Sequence, residues 1–376
     1  MNLSEWRSQI DATDVELVRL LNERTRMALE IGRIKNLVGG EIYVPAREKE
    51  VLDRVCELNP GPLMPESIRA IYREIMSAAL ALERNLKVAY LGPPATFTHQ
   101  AARSRFGGSV EYVSCETISD VFDAVEKGVA DYGVVPVENS TEGAVTHTLD
   151  RFGETFLKVC AEIYLPVSQC LLSRSPRERI KRIYSHPQVI GQCRQWLQRE
   201  MTGIDILPSA STAKAAEQAA QDLEAGALSS RLAAEVYGLN VLMSGIQDYS
   251  GNVTRFMVLA RAYGRPSGDD KTSLLFAVQH RSGALFKALE SFAGTGLNMT
   301  RIESRPSRNK VWEYVFFVDI EGHADEDRVK QALQKLAEHC TVLTILGSYP
   351  RMKYQPEAPA LADLPALPST GPESRK

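Results

Sequence analysis

The segment Asn252-Val253-Thr254-Arg255-Phe256-Met257-Val258-Leu259-Ala260 opens on a carboxamide, a hydroxyl and a guanidinium, then turns apolar. From Phe256 on it reads as a buried strand. Its leading edge carries groups that bind anions and move protons. A second such set lies near the other end of the chain. Arg7, Arg24 and Lys35 share one 3/4-spaced stripe with Leu3, Ile10, Leu17, Leu21, Ala28 and Ile31. Three cations on an apolar seam are costly unless something anionic meets them. Arg47 and Glu48 precede the apolar set Val51, Leu52, Val55 and Leu58 by one turn, and Glu83 borders the stripe Ile68, Tyr72, Ile75, Ala79, Leu82 and Leu86. Two readings fit these charges. One is a helical dimerisation module whose cations pair with Asp14, Glu48 and Glu83. The other is a pocket for a small dianion between apolar walls.

Two further polar edges sit in the middle of the chain. Lys87 to Gly92 reads as a strand, and Pro93-Pro94-Ala95-Thr96-Phe97-Thr98 leads into a helix from His99, with Thr96 or Thr98 as its cap. Tyr132 to Val137 reads as a strand, followed by Glu138-Asn139-Ser140-Thr141-Glu142-Gly143 and a helix over 144–152. A helix start offers free N–H groups and a dipole that favours an anion, although plain N-capping is the commoner role. With Thr254 and Arg255, these edges predict one cleft at the sheet ends of an α/β domain.

The chain that must position these residues has 376 of them, enough for two or three domains. A net charge of −3 implies no nucleic-acid partner. No apolar run approaches ~18 residues, so no membrane span is expected. The N-terminus lacks an apolar signal core, which predicts a cytoplasmic location. Scattered cysteines without CxxC read as reduced, and the histidines form no HxxxH pair, so no metal site is expected. No GxGxxG follows a strand, which argues against a nicotinamide fold. No cofactor is expected.

Residues 1–86 read as all helical, with Ser4 capping the first helix. That helix would run roughly 45 Å at ~1.5 Å per residue, too long to pack only on two shorter ones. This predicts a homodimer or a higher homo-oligomer. Residues 87–265 alternate strands and helices, and 264–270 form a polar linker. Residues 271–350 follow a strand–helix–strand–strand–helix–strand order: 271–278, 283–292, 298–305, 312–320, 325–339 and 342–349. Residues 351–376, rich in Pro, Ala and Ser, read as a disordered tail.

Residues 1–86 resemble the all-helical chorismate mutase family. Its cation pattern falls on Arg7, Arg24, Lys35 and Arg47, its neighbouring acid on Glu48, and its third-helix Gln or Glu on Glu83. The resemblance implies a site for chorismate in which Arg7 arrives from the other subunit. It further implies that Arg7, Arg24 and Arg47 hold carboxylates, that Lys35 donates to the ether oxygen, and that Glu83 is a second donor. The rearrangement to prephenate is a one-step pericyclic shift that builds negative charge on that oxygen, so holding the folded dianion and aiming donors at it is enough. Glu83 donates only when protonated, which predicts mutase activity that falls as pH rises. Val44 and Ala79 stand where some members carry polar residues, a departure expected to weaken substrate contacts.

Residues 87–265 resemble prephenate dehydratase. The family's GPxGTF turn appears as Gly92-Pro93-Pro94-Ala95-Thr96-Phe97, its ENS segment as Glu138-Asn139-Ser140, and its Thr-Arg-Phe motif as Thr254-Arg255-Phe256. Ser185-His186-Pro187-Gln188, Gln192-Cys193, Ser211-Thr212 and Ile246-Gln247-Asp248 are also similar. The implied fold is a two-lobed, periplasmic-binding-like α/β domain, with one lobe from about 87–163 plus the final strand and an inserted lobe from about 164–250. The implied reaction takes CO2 and water from prephenate to give phenylpyruvate. Thr254 would protonate the leaving hydroxyl and Arg255 would hold a carboxylate. Thr96, Asn139, Ser140 and Thr141 would position the rest, and Phe256, which completes the motif, is expected to bind substrate with them. Ala95 replaces the motif's Gly and would strain the turn if that position needs positive φ.

Residues 271–350 resemble the α+β ACT domain. Gly283-Ala284-Leu285 and Glu303-Ser304-Arg305-Pro306 imply that L-phenylalanine binds there at a dimer interface and reshapes the neighbouring cleft. Together the three resemblances imply a multidomain bifunctional enzyme of phenylalanine biosynthesis, fed by chorismate and prephenate and inhibited by L-phenylalanine. A non-catalytic carboxylate sensor and a mutase fused to prephenate dehydrogenase are the competing readings. The motifs do not separate prephenate from arogenate.

Overall fold

The computed structural model describes residues 2–38, 43–306 and 314–352. Helices α1 (Leu3–Val38), α2 (Pro45–Glu57) and α3 (Pro65–Glu83) open the chain. A first lobe follows, with β1 (Lys87–Leu91), α4 (Phe97–Phe106), β2 (Glu111–Cys115), α5 (Ile118–Glu126), β3 (Tyr132–Asn139), β4 (Gly143–Ala144), α6 (Thr146–Phe152) and β5 (Lys158–Pro166). The second lobe holds β6 (Cys170–Ser173), β7 (Arg182–Ser185), α7 (Pro187–Gln192), α8 (Arg194–Glu200), β8 (Asp205–Pro208), α9 (Thr212–Ala220), β9 (Ala225–Ser229), α10 (Arg231–Tyr237) and β10 (Asn240–Ser244). The chain then returns through β11 (Val253–Ala260) and ends in β12 (Asp270–Val278), α11 (Ala284–Ala293), β13 (Met299–Pro306), β14 (Tyr314–Glu321), α12 (Asp327–Ala337) and β15 (Cys340–Pro350). The expected fold class is present: a helical unit, a two-lobed α/β unit and a βαββαβ unit. Trp312, expected in a strand, and the tail from 353 on lie outside the described residues.

Ser4 does not cap α1. Asn2 does, accepting the Glu5 amide at 2.9 Å while the Glu5 carboxylate takes the Asn2 amide at 3.0 Å. This reciprocal pair starts the helix two residues earlier than Ser4 would. Proline at the first turn, Pro45 and Pro65, starts α2 and α3. Leu3, Trp6, Ile10, Val15, Leu17, Val18 and Met27 lie exposed along α1 in the single chain. None of the helices among the described residues is long and apolar enough to cross a membrane.

The first-lobe sheet runs β2-β1-β3-β11-β5, with β4 beside β3. β1, β2 and β3 are parallel, and β11 is antiparallel to both of its neighbours. The second lobe runs β10-β6-β9-β7-β8, and the third sheet β13-β14-β12-β15. The chain leaves the first sheet only after Pro166 and re-enters it at Val253. Two shared cores fasten the parts together. Leu275, Phe317, Leu346 and Tyr349 of the third unit pack with Phe122, Phe152, Val159 and Met257 of the first lobe. Tyr43, from the segment before α2, packs with Phe106, Tyr132 and Phe256.

Candidate active sites

Strand β11 carries the dehydration motif between β3 and β5, with Thr254 opposite Asn139 and Arg255 opposite Glu138. The Asn139 amide donates to the Thr254 hydroxyl at 2.8 Å and to the Asn252 side-chain oxygen at 2.7 Å. Asn139 Oδ1 accepts the Thr141 amide at 3.0 Å and the Thr141 hydroxyl at 2.6 Å, closing the loop after β3. The Ser140 hydroxyl donates to the Gly251 carbonyl and accepts the Val253 amide, both at 3.0 Å. Asn139, Ser140, Thr141 and Thr254 therefore form one cluster. Its acceptor role filled by Asn139, the Thr254 hydroxyl keeps its own proton free to donate.

Arg255 does not join that cluster. A strand sends adjacent side chains to opposite faces. The Arg255 guanidinium sits 2.9 Å from Glu162 and 2.5 Å from Asp319, and donates to the Tyr349 hydroxyl at 3.0 Å. Lys271 adds a second cation at 3.0 Å from Glu162. Arg255, expected to hold a substrate carboxylate, here has its guanidinium engaged at the junction with the third unit. Burial alone would raise the Asp319 carboxyl, but Arg255, Ser273 and Arg301 outweigh it and hold it below its ordinary value. Phe256, expected among the substrate-binding residues, is 1% exposed within the core shared with Tyr43.

Thr96 caps α4, accepting the His99 amide at 3.3 Å and donating to the Leu91 carbonyl at 3.0 Å. Ala95 has φ 69°, the left-handed conformation that the motif's glycine would adopt without strain. Two bonds secure it: the Ala95 amide donates to His99 Nδ1 at 3.1 Å, and Ser230 of the second lobe donates to the Ala95 carbonyl at 2.9 Å. His99 stacks on Tyr90 at 4.4 Å, and burial pushes its imidazole down to about 4, so that Nδ1 stays an acceptor. Gln188 of the second lobe donates to Glu142 in the loop after β3, a second contact between the lobes.

The helical unit holds a cavity of about 220 Å³ lined by Arg24, Lys35, Arg47, Glu48 and Glu83, with Val44 and Ala79 also in its wall. Five of the six expected mutase residues meet there. The sixth, Arg7, is exposed and lies 17 positions before Arg24 on the same helix, ~25 Å away at ~1.5 Å per residue. The Glu83 side chain lies over Gly32, where a Cβ would fall 2.3 Å from its Cγ. Its Oε1 is buried with no hydrogen-bond partner among the described residues. Burial raises the Glu83 carboxyl above its ordinary value, with Lys35 pulling the other way. Arg73, Tyr43 and Arg105 also line this cavity and were not anticipated. Arg73 stands one turn before Ser77 and two before Leu80, a spacing that marks a shared face. Arg105 belongs to α4, so no pattern within 1–86 points to it.

A family model of prephenate dehydratase matches residues 88–263, one of chorismate mutase type II residues 6–84, and one of the ACT domain residues 272–338. The bifunctional chorismate mutase/prephenate dehydratase of Aquifex aeolicus is 50% identical over 358 residues, covering 94% of this chain and 99% of that protein. The chain belongs to the bifunctional chorismate mutase/prephenate dehydratase family. The Escherichia coli K12 member is 32% identical, covering 94% of this chain and 97% of its own length. A solved prephenate dehydratase from Arthrobacter aurescens, in complex with L-Phe, superposes with a TM-score of 0.65 at 35% identity. It covers 73% of this chain and 92% of that one.

This bifunctional mutase–dehydratase therefore acts in phenylalanine biosynthesis, converting chorismate to prephenate and prephenate to phenylpyruvate. Its ACT domain places Gly283 in the left-handed conformation, φ 77°, at the start of α11. Ala284 and Leu285 line a cavity of about 150 Å³ with Val278, Arg281, Tyr314 and Phe316. Glu303, Ser304 and Arg305 do not line it. They lie on β13, the edge strand of the sheet, where Arg305 approaches Asp150 at 3.4 Å. Four residues before Arg305 on the same strand, Arg301 pairs with Glu138 at 2.8 Å, beside Asn139 of the dehydratase cluster.

Proposed function

We propose that Thr254 is the acid of the dehydratase step. As prephenate loses CO2, the released electron pair aromatises the ring and expels the ring hydroxyl. Thr254 delivers a proton to that leaving oxygen. A hydroxyl is a very weak acid, so its developing oxyanion needs a fixed donor. The Asn139 amide bonded to Thr254 Oγ1 is the observation that carries this assignment. Thr96, Ser140 and Thr141 hold the surrounding loops rather than the proton.

In the mutase pocket, Arg24 and Arg47 hold the chorismate carboxylates, Lys35 and protonated Glu83 donate to the ether oxygen, and Glu48 meets the substrate hydroxyl. Arg7 serves the pocket of a second subunit. The exposed apolar face of α1 and the ~25 Å between Arg7 and its own chain's cavity support that reading. L-Phenylalanine is the effector of the ACT domain. The split between the Ala284–Leu285 cavity and the Glu303–Arg305 edge strand favours an effector site completed by two subunits.

Purified enzyme supplied with chorismate, and separately with prephenate, tests this set. Phenylpyruvate should form from both, without nicotinamide, and fall when phenylalanine is added. Mixing Arg7→Ala chains with Lys35→Ala chains should restore part of the mutase activity that each lacks. No recovery on mixing, with subunit exchange verified, would remove the cross-subunit role.

A further inference from the structure

We propose that Arg105 of the dehydratase lobe is a positioning residue of the mutase site, holding Glu48 so that one carboxylate oxygen faces the hydroxyl of bound chorismate. The proposal rests on the reading of Glu48 as a substrate-binding residue. Arg105 leaves the last turn of α4 and reaches across the domain boundary. Its Nη2 lies 2.9 Å from Glu48 Oε2, with both side chains largely buried. Its Nε donates to the Tyr43 hydroxyl at 2.5 Å, and that hydroxyl donates in turn to Glu48 Oε2 at 2.8 Å. Both contacts fall on the same oxygen. Oε1 takes no hydrogen bond among the described residues and is left to accept one from a ligand.

Tyr43 is itself built into the dehydratase lobe. Its ring packs at 4.9 Å from Phe106 and 5.3 Å from Tyr132, and the Arg105 guanidinium lies 5.7 Å above its face. The orientation of Glu48 is thereby tied to a core outside the helical unit. The charge matters as much as the geometry. A pocket that takes a dianion cannot hold an uncompensated carboxylate without repelling its substrate, and Arg105 neutralises Glu48 from behind. Arg24, Lys35, Arg47 and Arg73 line the same cavity, so its positive charge is not spent on Glu48 alone.

The test uses full-length Arg105→Met, Arg105→Lys and Glu48→Ala, each assayed for both activities. The hydroxyl is on no bond that breaks, so its loss should appear mainly in KM for chorismate. Arg105→Met should raise that KM roughly 10–100-fold, as expected when one partner of a buried charge pair is left unmatched. Its turnover of prephenate should change less than about twofold. Arg105→Lys should recover part of the loss, because it keeps the charge but cannot reach Tyr43 and Glu48 together. An unchanged chorismate KM in Arg105→Met, with Glu48→Ala impaired, overturns the proposal alone. Equal loss of both activities in Arg105→Met also overturns it, since that marks a folding defect. An unimpaired Glu48→Ala overturns the reading of Glu48 and the proposal with it.

Discussion

Along α1, Arg24, Ala28, Ile31 and Lys35 return to one cavity wall every three or four residues. Along β11, Thr254 and Arg255 are chain neighbours and part company: one joins the Asn139 cluster and the other enters the junction with the ACT domain. The helix period gathers residues that are distant in sequence, and the strand period separates residues that are adjacent. A motif of consecutive residues in a strand can therefore serve two sites at once. Here the proposed acid, Thr254, and a residue anchored at the ACT junction, Arg255, share one peptide bond, so that junction is one residue from the Asn139 cluster.

Breaking each half of the Thr254–Arg255 pair separates the two roles. Thr254→Ala should lower dehydratase kcat by about 10²–10⁴-fold and leave mutase turnover in place. Steady-state assays of both activities check this, and a Thr254→Ala enzyme that dehydrates at the wild-type rate would sink the assignment. Arg255→Met should act on stability instead. It strands Asp319 in a buried site and leaves Glu162 to Lys271 alone, at a cost of about 3–5 kcal/mol in chemical unfolding. Prephenate KM should move far less; a large KM increase at unchanged stability would return Arg255 to the cleft. Acid should weaken the same junction. Asp319 is held below its ordinary value, so its contribution is present at neutral pH and is lost as pH falls through that lowered value.

The mutase half is sharpened through Glu83. Its burial raises the carboxyl above the ordinary range, so the donating, protonated form persists to higher pH than usual and then disappears. Wild-type mutase activity should decline as pH rises through that midpoint, while Glu83→Gln should keep a flat profile. At alkaline pH the variant should exceed wild type by roughly 10-fold or more, the order of one lost transition-state donor. A Glu83→Gln profile that still declines would place the titration elsewhere.

The smallest effect is expected at the turn before α4. Ala95→Gly relieves a left-handed alanine, about 1–2 kcal/mol, but adds freedom to the unfolded chain, about 0.4–1 kcal/mol. It also removes a fully buried methyl that packs with Ala213, Ala216 and Ala233 of the second lobe. Thermal unfolding should therefore shift by less than ~1 kcal/mol equivalent. A gain well beyond that would mean the methyl contact contributes little.

The helical cations were legible because 3.6-residue periodicity is written in the chain, and Arg24, Lys35, Arg47, Glu48 and Glu83 do line one cavity. The cap of α1 was misplaced by two residues, since Asn2 and Ser4 are both good caps and only the backbone path chooses between them. The side of β11 to which Arg255 turns was not legible. Either face of that strand was compatible with a polar partner, and the partners, Glu162 and Asp319, come from β5 and β14.

By its order of residues alone, this chain determined three kinds of unit, their succession and the two activities they carry. These follow from local periodicity, turn geometry and motif composition, all of which act over a few residues. Tertiary structure decided what the isolated segments could not: that Arg255 belongs to the ACT junction, that Phe256 fills a core, and that Arg105 stands behind Glu48. Those outcomes depend on which charges and rings meet across domain boundaries, and burial makes an unpaired charge too costly for them to meet any other way.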